Sequence, residues 1–439
     1  MIDALRNAFK LPDLRRRMLY TVLILVVFRM ASNIPVPGVD RQALSAVFSS
    51  ASASAASQFA GLLDLLSGGA VSNFSVLAAG VYPYVTAQIV IQLLLPIFPK
   101  LEQQIQEEGD EGQRKMNQWI FYLTVPLAAL YAFGQAQLFQ AAAVGNRPIL
   151  PNFGWGPGRT LPTITILLTM TAGTMVAVWL GEMITEQGIG NGLSLIIFGG
   201  IVSRVPANVR GILDTDGWLG VAIFLIITMV TILFIVFIQE GERRIKVQYG
   251  KRVRGMKVYG GGSTYIPLRI NTAGMIPLIF AQSILAFPAV IAQFFLGSTN
   301  PTVQRVAEGA VDFFGGSNPW YAPVYFLAVV GFTYFYTFVM VEQQNLSEML
   351  QKQGGFIPGV RPGRRTEEHI LGIYKRITLV GALFLGFVAV MPYLVGLFMT
   401  SRQMLIQSSG LLIVVGTVMD TMRQLESQLL MRNYEGFLS

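Results

Sequence analysis

The chain has 439 residues, of which 53% are hydrophobic and 13% charged, with a formal net charge of +8 and a mean hydropathy of +0.54. A soluble domain carries roughly a quarter charged residues, so the composition indicates a polytopic membrane protein. With no cysteine and a single histidine, His369, the chain has no disulfides, thiolate metal sites or cysteine nucleophiles.

Residues 1–18 carry Arg6, Lys10, Arg15, Arg16 and Arg17 and lack a small-residue cleavage site after a short apolar core. They read as an uncleaved amphipathic start, not a signal peptide. Apolar runs of roughly 20 residues, enough to cross about 30 Å of hydrocarbon, begin near Leu19, Val76, Trp119, Leu161, Leu193, Trp218, Thr272, Trp320, Ile377 and Ser409. Ten runs give an even topology, with a first half over 19–205, an external connection over 206–217, a second half over 218–422 and a tail over 423–439. The expected fold class is all-α.

Between the first two runs lies a long Ala/Ser-rich insertion, Pro35 to Ser75, which returns toward the membrane at Leu62. A one-turn piece, Leu62, Leu63, Asp64, Leu65 and Leu66, breaks at Ser67-Gly68-Gly69 and is followed by a complete span containing Pro83. Helix, break and helix at membrane depth imply a cavity, because lipid cannot satisfy free backbone N–H and C=O groups.

If the amino end is cytoplasmic, the loops on that side collect most of the Lys and Arg, which places both termini inside. Two of those loops, 239–270 and 342–376, are much longer than chain reversal requires. The first holds Arg243, Arg244, Lys246, Lys251, Arg252 and Arg254; the second holds Arg361, Arg364 and Arg365. Orientation and attraction to anionic lipids account for some of this charge. The length of the loops points further, to a large cytosolic partner.

Ionisable residues are nearly absent from the predicted spans; Arg29, Glu182 and Asp420 lie toward their ends. A proton relay or ion-coupling site needs such groups near the midplane, and neither a nucleophile with its base nor an H-E-x-x-H helix is present. The chain is therefore read as a non-enzyme. A secondary transporter with discontinuous helices is the alternative to a pore. Uncharged polar groups do occur at Thr86, Gln88, Asn271, Thr272, Gln282 and Ser283, where interhelical hydrogen bonding is their ordinary role.

Two stretches then carry a family resemblance: SVLAAGVYPYVTAQIVIQLL from Ser75 to Leu94, and WLGEMITEQGIGNGLSLII from Trp179 to Ile197. Supporting segments are LSGGAVS (Leu66 to Ser72), RINTAGMIPLIFAQSIL (Arg269 to Leu285) and GGFIPGVRPG (Gly354 to Gly363). Along essentially its whole length the chain resembles the SecY family, the central subunits of the bacterial protein-conducting channel. The first stretch departs from the family pattern at Ala78 or Ala79, where larger aliphatics are more usual.

The resemblance implies ten transmembrane helices in two pseudo-symmetric five-helix halves around a central pore. It assigns a plug to residues 62–75, including Leu62 to Gly69, and an aliphatic pore ring to Val81, Val85, Ile197, Ile279 and Ile413. Ordinary helix packing would also account for each aliphatic taken singly. An apolar constriction can close by dewetting and deform around a passing chain. A lateral gate is assigned to Thr86, Asn271 and Gln282, and docking of the motor or ribosome to the basic residues of the two long loops, Arg361 among them. Expected partners are SecE and SecG, the SecA ATPase, the ribosome with its rRNA, signal-bearing preproteins and anionic lipids, with SecDF and YidC as further candidates. No cofactor is expected, and the expected location is the bacterial inner membrane.

Overall fold

The computed structural model describes residues 11–40, 42–44, 70, 73–95, 98, 101, 105, 108–141, 149–154, 156–249, 252–254, 257–259, 262–274, 276–295, 300–314, 318–344, 346–396 and 407–438. In chain order the helices are α1 (Pro12–Ala31), α2 (Tyr82–Leu94), α3 (Asp110–Ala141), α4 (Thr160–Gln187) and α5 (Gly192–Glu240). Then come strands β1 (Glu242–Tyr249), β2 (Arg252–Arg254), β3 (Lys257–Tyr259) and β4 (Ser263–Arg269), and helices α6 (Ile276–Phe295), α7 (Pro301–Phe314), α8 (Tyr321–Gln343) and α9 (Leu346–Lys352). Strand β5 (Gly355–Phe356) and helices α10 (Arg364–Gly396) and α11 (Gln407–Leu438) complete the order. Helix α5 breaks at Gly217, whose φ of 67° lies in the left-handed region open to glycine.

Among the described residues six helical stretches are long and apolar enough to cross a membrane: Glu111–Gln137, Thr160–Gln187, Gly192–Asp214, Gly217–Glu240, Tyr321–Lys352 and Arg364–Met391. They coincide with six of the ten apolar runs. The other four runs are helical too, but α1 carries Arg15, Arg16, Arg17 and Arg29, and α2 is 13 residues long. Helix α6 has 20 residues with Pro288 inside, and α11 turns polar from Asp420 onward. Large apolar side chains along the spans, including Leu161, Phe237 and Leu327, stand exposed. Against lipid, such exposure lacks the hydrophobic cost that it has in water.

Two runs begin later than their hydropathy suggests. The second, expected near Val76, enters helix only at Tyr82, because residues 73–81 form consecutive turns with φ of 41° at Phe74 and 56° at Gly80. Pro83 then sits in the first turn, where its missing N–H has no cost. The seventh, expected near Thr272, starts at Ile276 after a turn at Gly274 with φ of 64°.

The chain divides into two compact units. The first comprises 1–221, 286–321 and 401–439. One hydrophobic cluster in it gathers Phe74, Phe139, Ile149, Leu150, Phe153 and Met170, with Phe74 edge-on to Phe139 at 5.0 Å. A smaller cluster joins Leu14, Ile189 and Leu425, and beside it the Ile189 N–H donates to Thr21 Oγ1 at 3.2 Å.

The second unit comprises 222–285 and 322–400. It contains a three-stranded antiparallel sheet in the order β4-β1-β5, which corrects the all-α expectation. The cause is a period of two within the basic loop: Ile245 and Val247 are buried while Arg244 and Lys246 are exposed. A separate hairpin pairs β2 with β3.

Candidate functional site

Residues 73–81 form a non-helical block in the first unit that leads directly into the proposed gate. The Val36 N–H donates to the Phe74 carbonyl at 3.0 Å, and the Val76 N–H donates to the Ile34 carbonyl at 2.9 Å. An isolated antiparallel bridge joins Pro35 to Ser75 between these two bonds. Within the block, the Leu77 N–H donates to Ser75 Oγ at 3.2 Å and the Ala78 N–H to the Ser75 carbonyl at 2.9 Å. Ser75 is fully buried and so serves the turn, not the solvent.

Two neighbouring helices fix the far side of this block. Gln135 of α3 is buried, and its Nε2 donates to the Ala78 carbonyl at 3.4 Å, leaving Oε1 without a partner. Gly173 of α4 lies directly against the Val76 carbonyl, leaving no room for a Cβ. The spacing of apolar residues could not identify either contact, because both depend on the path of a non-helical segment.

Val81 is the N-cap of α2 and is 1% exposed; the Val85 N–H donates to its carbonyl at 3.1 Å, which keeps the pair in register through the first turn. Ile197 on α5 and Ile413 on α11 are also buried, and these four residues belong to the first unit. Ile279, buried on α6, belongs to the second. The expected plug residues Leu62, Leu63, Asp64, Leu65, Leu66, Ser67, Gly68 and Gly69 lie outside the described residues.

The residues expected at a lateral gate satisfy much of their polarity locally. Thr86 Oγ1 donates to the Tyr82 carbonyl one turn back at 3.0 Å, and Asn271 Nδ2 donates to the Gly274 carbonyl at 3.2 Å. Asn271 Oδ1 is buried without a partner. Gln282 is half-buried on α6. A buried unmatched acceptor is costly, so Asn271 has hydrogen-bonding capacity to spare.

The two long basic loops converge into one block of the second unit. Strand β5, from the second loop, pairs with the end of β1, from the first, through Gln248 with Phe356 and Tyr249 with Gly355. Beneath them Ile245, Val247, Leu268, Val341, Leu350, Ile357, Ile370 and Tyr374 form one hydrophobic cluster. On this base Arg243, Arg244 and Lys246 are exposed on β1, with Arg244 Nε 2.7 Å from Glu242 Oε1. Arg252 and Arg254 belong to β2, and Lys251 lies outside the described residues.

Arg361, Arg364 and Arg365 are exposed at the start of α10, and Arg364 Nε lies 3.5 Å from Glu368 Oε1. Thr366 Oγ1 donates to the Arg361 carbonyl at 2.9 Å. The turns beside Arg361 use left-handed Gly359 and Gly363, with φ of 83° and 100°. Arg361 is thus presented on an ordered turn.

The SecY family model matches residues 75–422. Among curated proteins, the protein translocase subunit SecY of Streptomyces galbus is 40% identical over the full length of both chains. That of Halalkalibacterium halodurans is 41% identical, again covering all of both. A solved structure described as that of a protein conducting channel superposes with a TM-score of 0.60 at 19% identity, covering 94% of this chain and 91% of the other. The matched range spans the block at 75–81, both loops and the helices that carry the aliphatic candidates: the chain belongs to the SecY family.

Proposed function

We propose that this protein is the channel subunit of a Sec translocase, passing unfolded secretory polypeptides across the bacterial inner membrane and releasing hydrophobic segments sideways into lipid. The observation that carries the reading is full-length identity of about 40% to protein translocase subunits SecY. It is supported by buried aliphatics at each assigned ring position except the half-buried Val85. It is supported as well by a basic block assembled from both long loops.

In this reading ten helices span the membrane in two five-helix halves, with both termini cytoplasmic. Val81, Val85, Ile197, Ile279 and Ile413 form the apolar constriction, and residues 62–75 close it. The pinned block at 73–81 sets the position of Val81. Such a constriction excludes water and ions until a chain enters, and it binds no single class of side chain strongly. Thr86, Asn271 and Gln282 line the sideways exit, where weak neutral hydrogen bonds hold register without preventing opening. A segment at the exit partitions by its own hydropathy: each Leu or Ile favours lipid by about 0.3 to 0.6 kcal/mol, and each Asp, Lys or Arg opposes it by about 2.5 to 3.5 kcal/mol.

The basic block docks the SecA ATPase or the ribosome, through acidic protein surface or RNA phosphate. SecE and SecG complete the complex, and anionic lipids, SecDF and YidC are further partners. The protein itself performs no chemistry.

The ring assignment is tested by single cysteines, which this cysteine-free chain accepts without background. Cysteine at Val85 or Ile279 should crosslink to a stalled preprotein, whereas cysteine at lipid-exposed Leu161 should not. Crosslinking at Leu161 without crosslinking at Val85 and Ile279 would refute the ring.

A further inference from the structure

Helix α7, Pro301–Phe314, is not among the spans, yet its side chains sort into three stripes. Thr302, Arg305, Glu308 and Asp312 form an exposed polar stripe, along whose edge Gln304 Nε2 donates to Glu308 Oε1 at 2.9 Å. Ala307 is buried, and Val311 and Phe314, which share its stripe at helical spacing, are half-buried. Between these runs a second apolar stripe, Val303, Val306, Ala310 and Phe313. Val306 is 68% exposed and Val303 37%, while Ala310 and Phe313 are half-buried, so the stripe is open most fully over its first half.

A helix with one flank on protein, one in water and an uncovered apolar flank between them fits the edge of a bilayer. Chain connectivity holds it there. Only residues 315–320 separate α7 from the start of the spanning stretch at Tyr321, a reach of roughly 20 Å. Trp320, 69% exposed at that junction, is the residue type that anchors at headgroup level. Two valines, an alanine and one phenylalanine, the last two half-buried, fall far short of the area of about 800 Å² per partner that a stable protein interface uses. Lipid is the occupant that the geometry favours.

We infer that α7 lies in the membrane interface on the side where α8 begins, with Val303, Val306, Ala310 and Phe313 in contact with lipid and Arg305, Glu308 and Asp312 in water. This goes beyond translocation, and it rests on reading α8 as a membrane-spanning helix. In that position α7 ties α6 and α8 to the bilayer surface, making the connection between them sensitive to lipid packing.

The experiment uses the reconstituted complex in liposomes, with an environment-sensitive fluorophore on a single cysteine at Val306, at Asp312 or at Leu327 of α8. The Val306 label should emit to the blue of the Asp312 label, resist iodide, and be quenched several-fold more by lipids spin-labelled near the headgroup. The Asp312 label should show the reverse. Equal iodide quenching at Val306 and Asp312 would overturn the inference, as would a Val306 label shielded from both iodide and spin-labelled lipid. The Leu327 label separates the two levels: deep spin labels should quench it, and failure there would refute α8 as a span and not only the placement of α7.

Discussion

Alanine in place of Gly173 should destabilise the protein by about 1–3 kcal/mol, the usual cost of overpacking a filled interior. The added Cβ would collide with the Val76 carbonyl, which is backbone and cannot swing aside like the end of a flexible side chain. The same exchange at Gly134, one helix away on α3, has nothing within 4 Å to meet and should stabilise by up to about 1 kcal/mol, since alanine is the better helix former. The Val76 N–H is bonded to Ile34, so displacing this residue also pulls on the end of α1 and on the turns that lead to Val81. Gly173→Ala should therefore also raise ion leakage through the resting channel. Thermal unfolding of the purified variants and conductance of the reconstituted complex test both parts. Shifts of the same sign at positions 173 and 134 would contradict the packing argument.

Replacing Arg361 with Glu should leave the fold intact and reduce SecA-driven export by roughly tenfold or more, because reversing the charge at a docking contact sets like charges together, which costs several kcal/mol. The side chain is exposed, while Thr366 holds the carbonyl of the same residue and two left-handed glycines shape the turn. The loss should thus be one of contact. Ribosome-coupled insertion should fall less. A useful comparison is Val247→Asp, which buries a charge in the cluster beneath β1 and should impair both routes by dissolving the block. Equal defects in the two routes for Arg361→Glu would argue against a motor-specific role for this arginine.

The sequence made the helical framework readable because spans are long, apolar and nearly free of charge. Their starts were harder to read. Val76 to Val81 is as apolar as the helix after it, and only the positive φ at Phe74 and Gly80 and the bonds to Ile34 and Val36 take it out of helix. A left-handed non-glycine residue such as Phe74 has no signature in hydropathy.

The sheet was readable in part. In ERRIKVQY the buried Ile245 and Val247 alternate with exposed Arg244 and Lys246, but the density of charge draws attention to docking and away from the period of two. No local pattern announces that the second partner of β1, beside β4, is a two-residue strand more than a hundred positions away at Gly355–Phe356. That pairing turns two loops into one surface. The aliphatic ring candidates rest on motif and not on chemistry, since a buried isoleucine in a gate and one in a helix contact have the same composition. Gln135 carries no mark in the sequence because its partner is a backbone carbonyl.

In the proposed reading, polypeptides pass through this chain. The most direct measurement reconstitutes it with a SecE-like subunit and SecA in liposomes and follows a signal-bearing preprotein by protease digestion. On addition of ATP the preprotein should become protected, and the protection should disappear when the vesicles are opened with detergent. A folded, correctly inserted complex that binds SecA and hydrolyses ATP yet leaves the preprotein fully digestible would contradict the account.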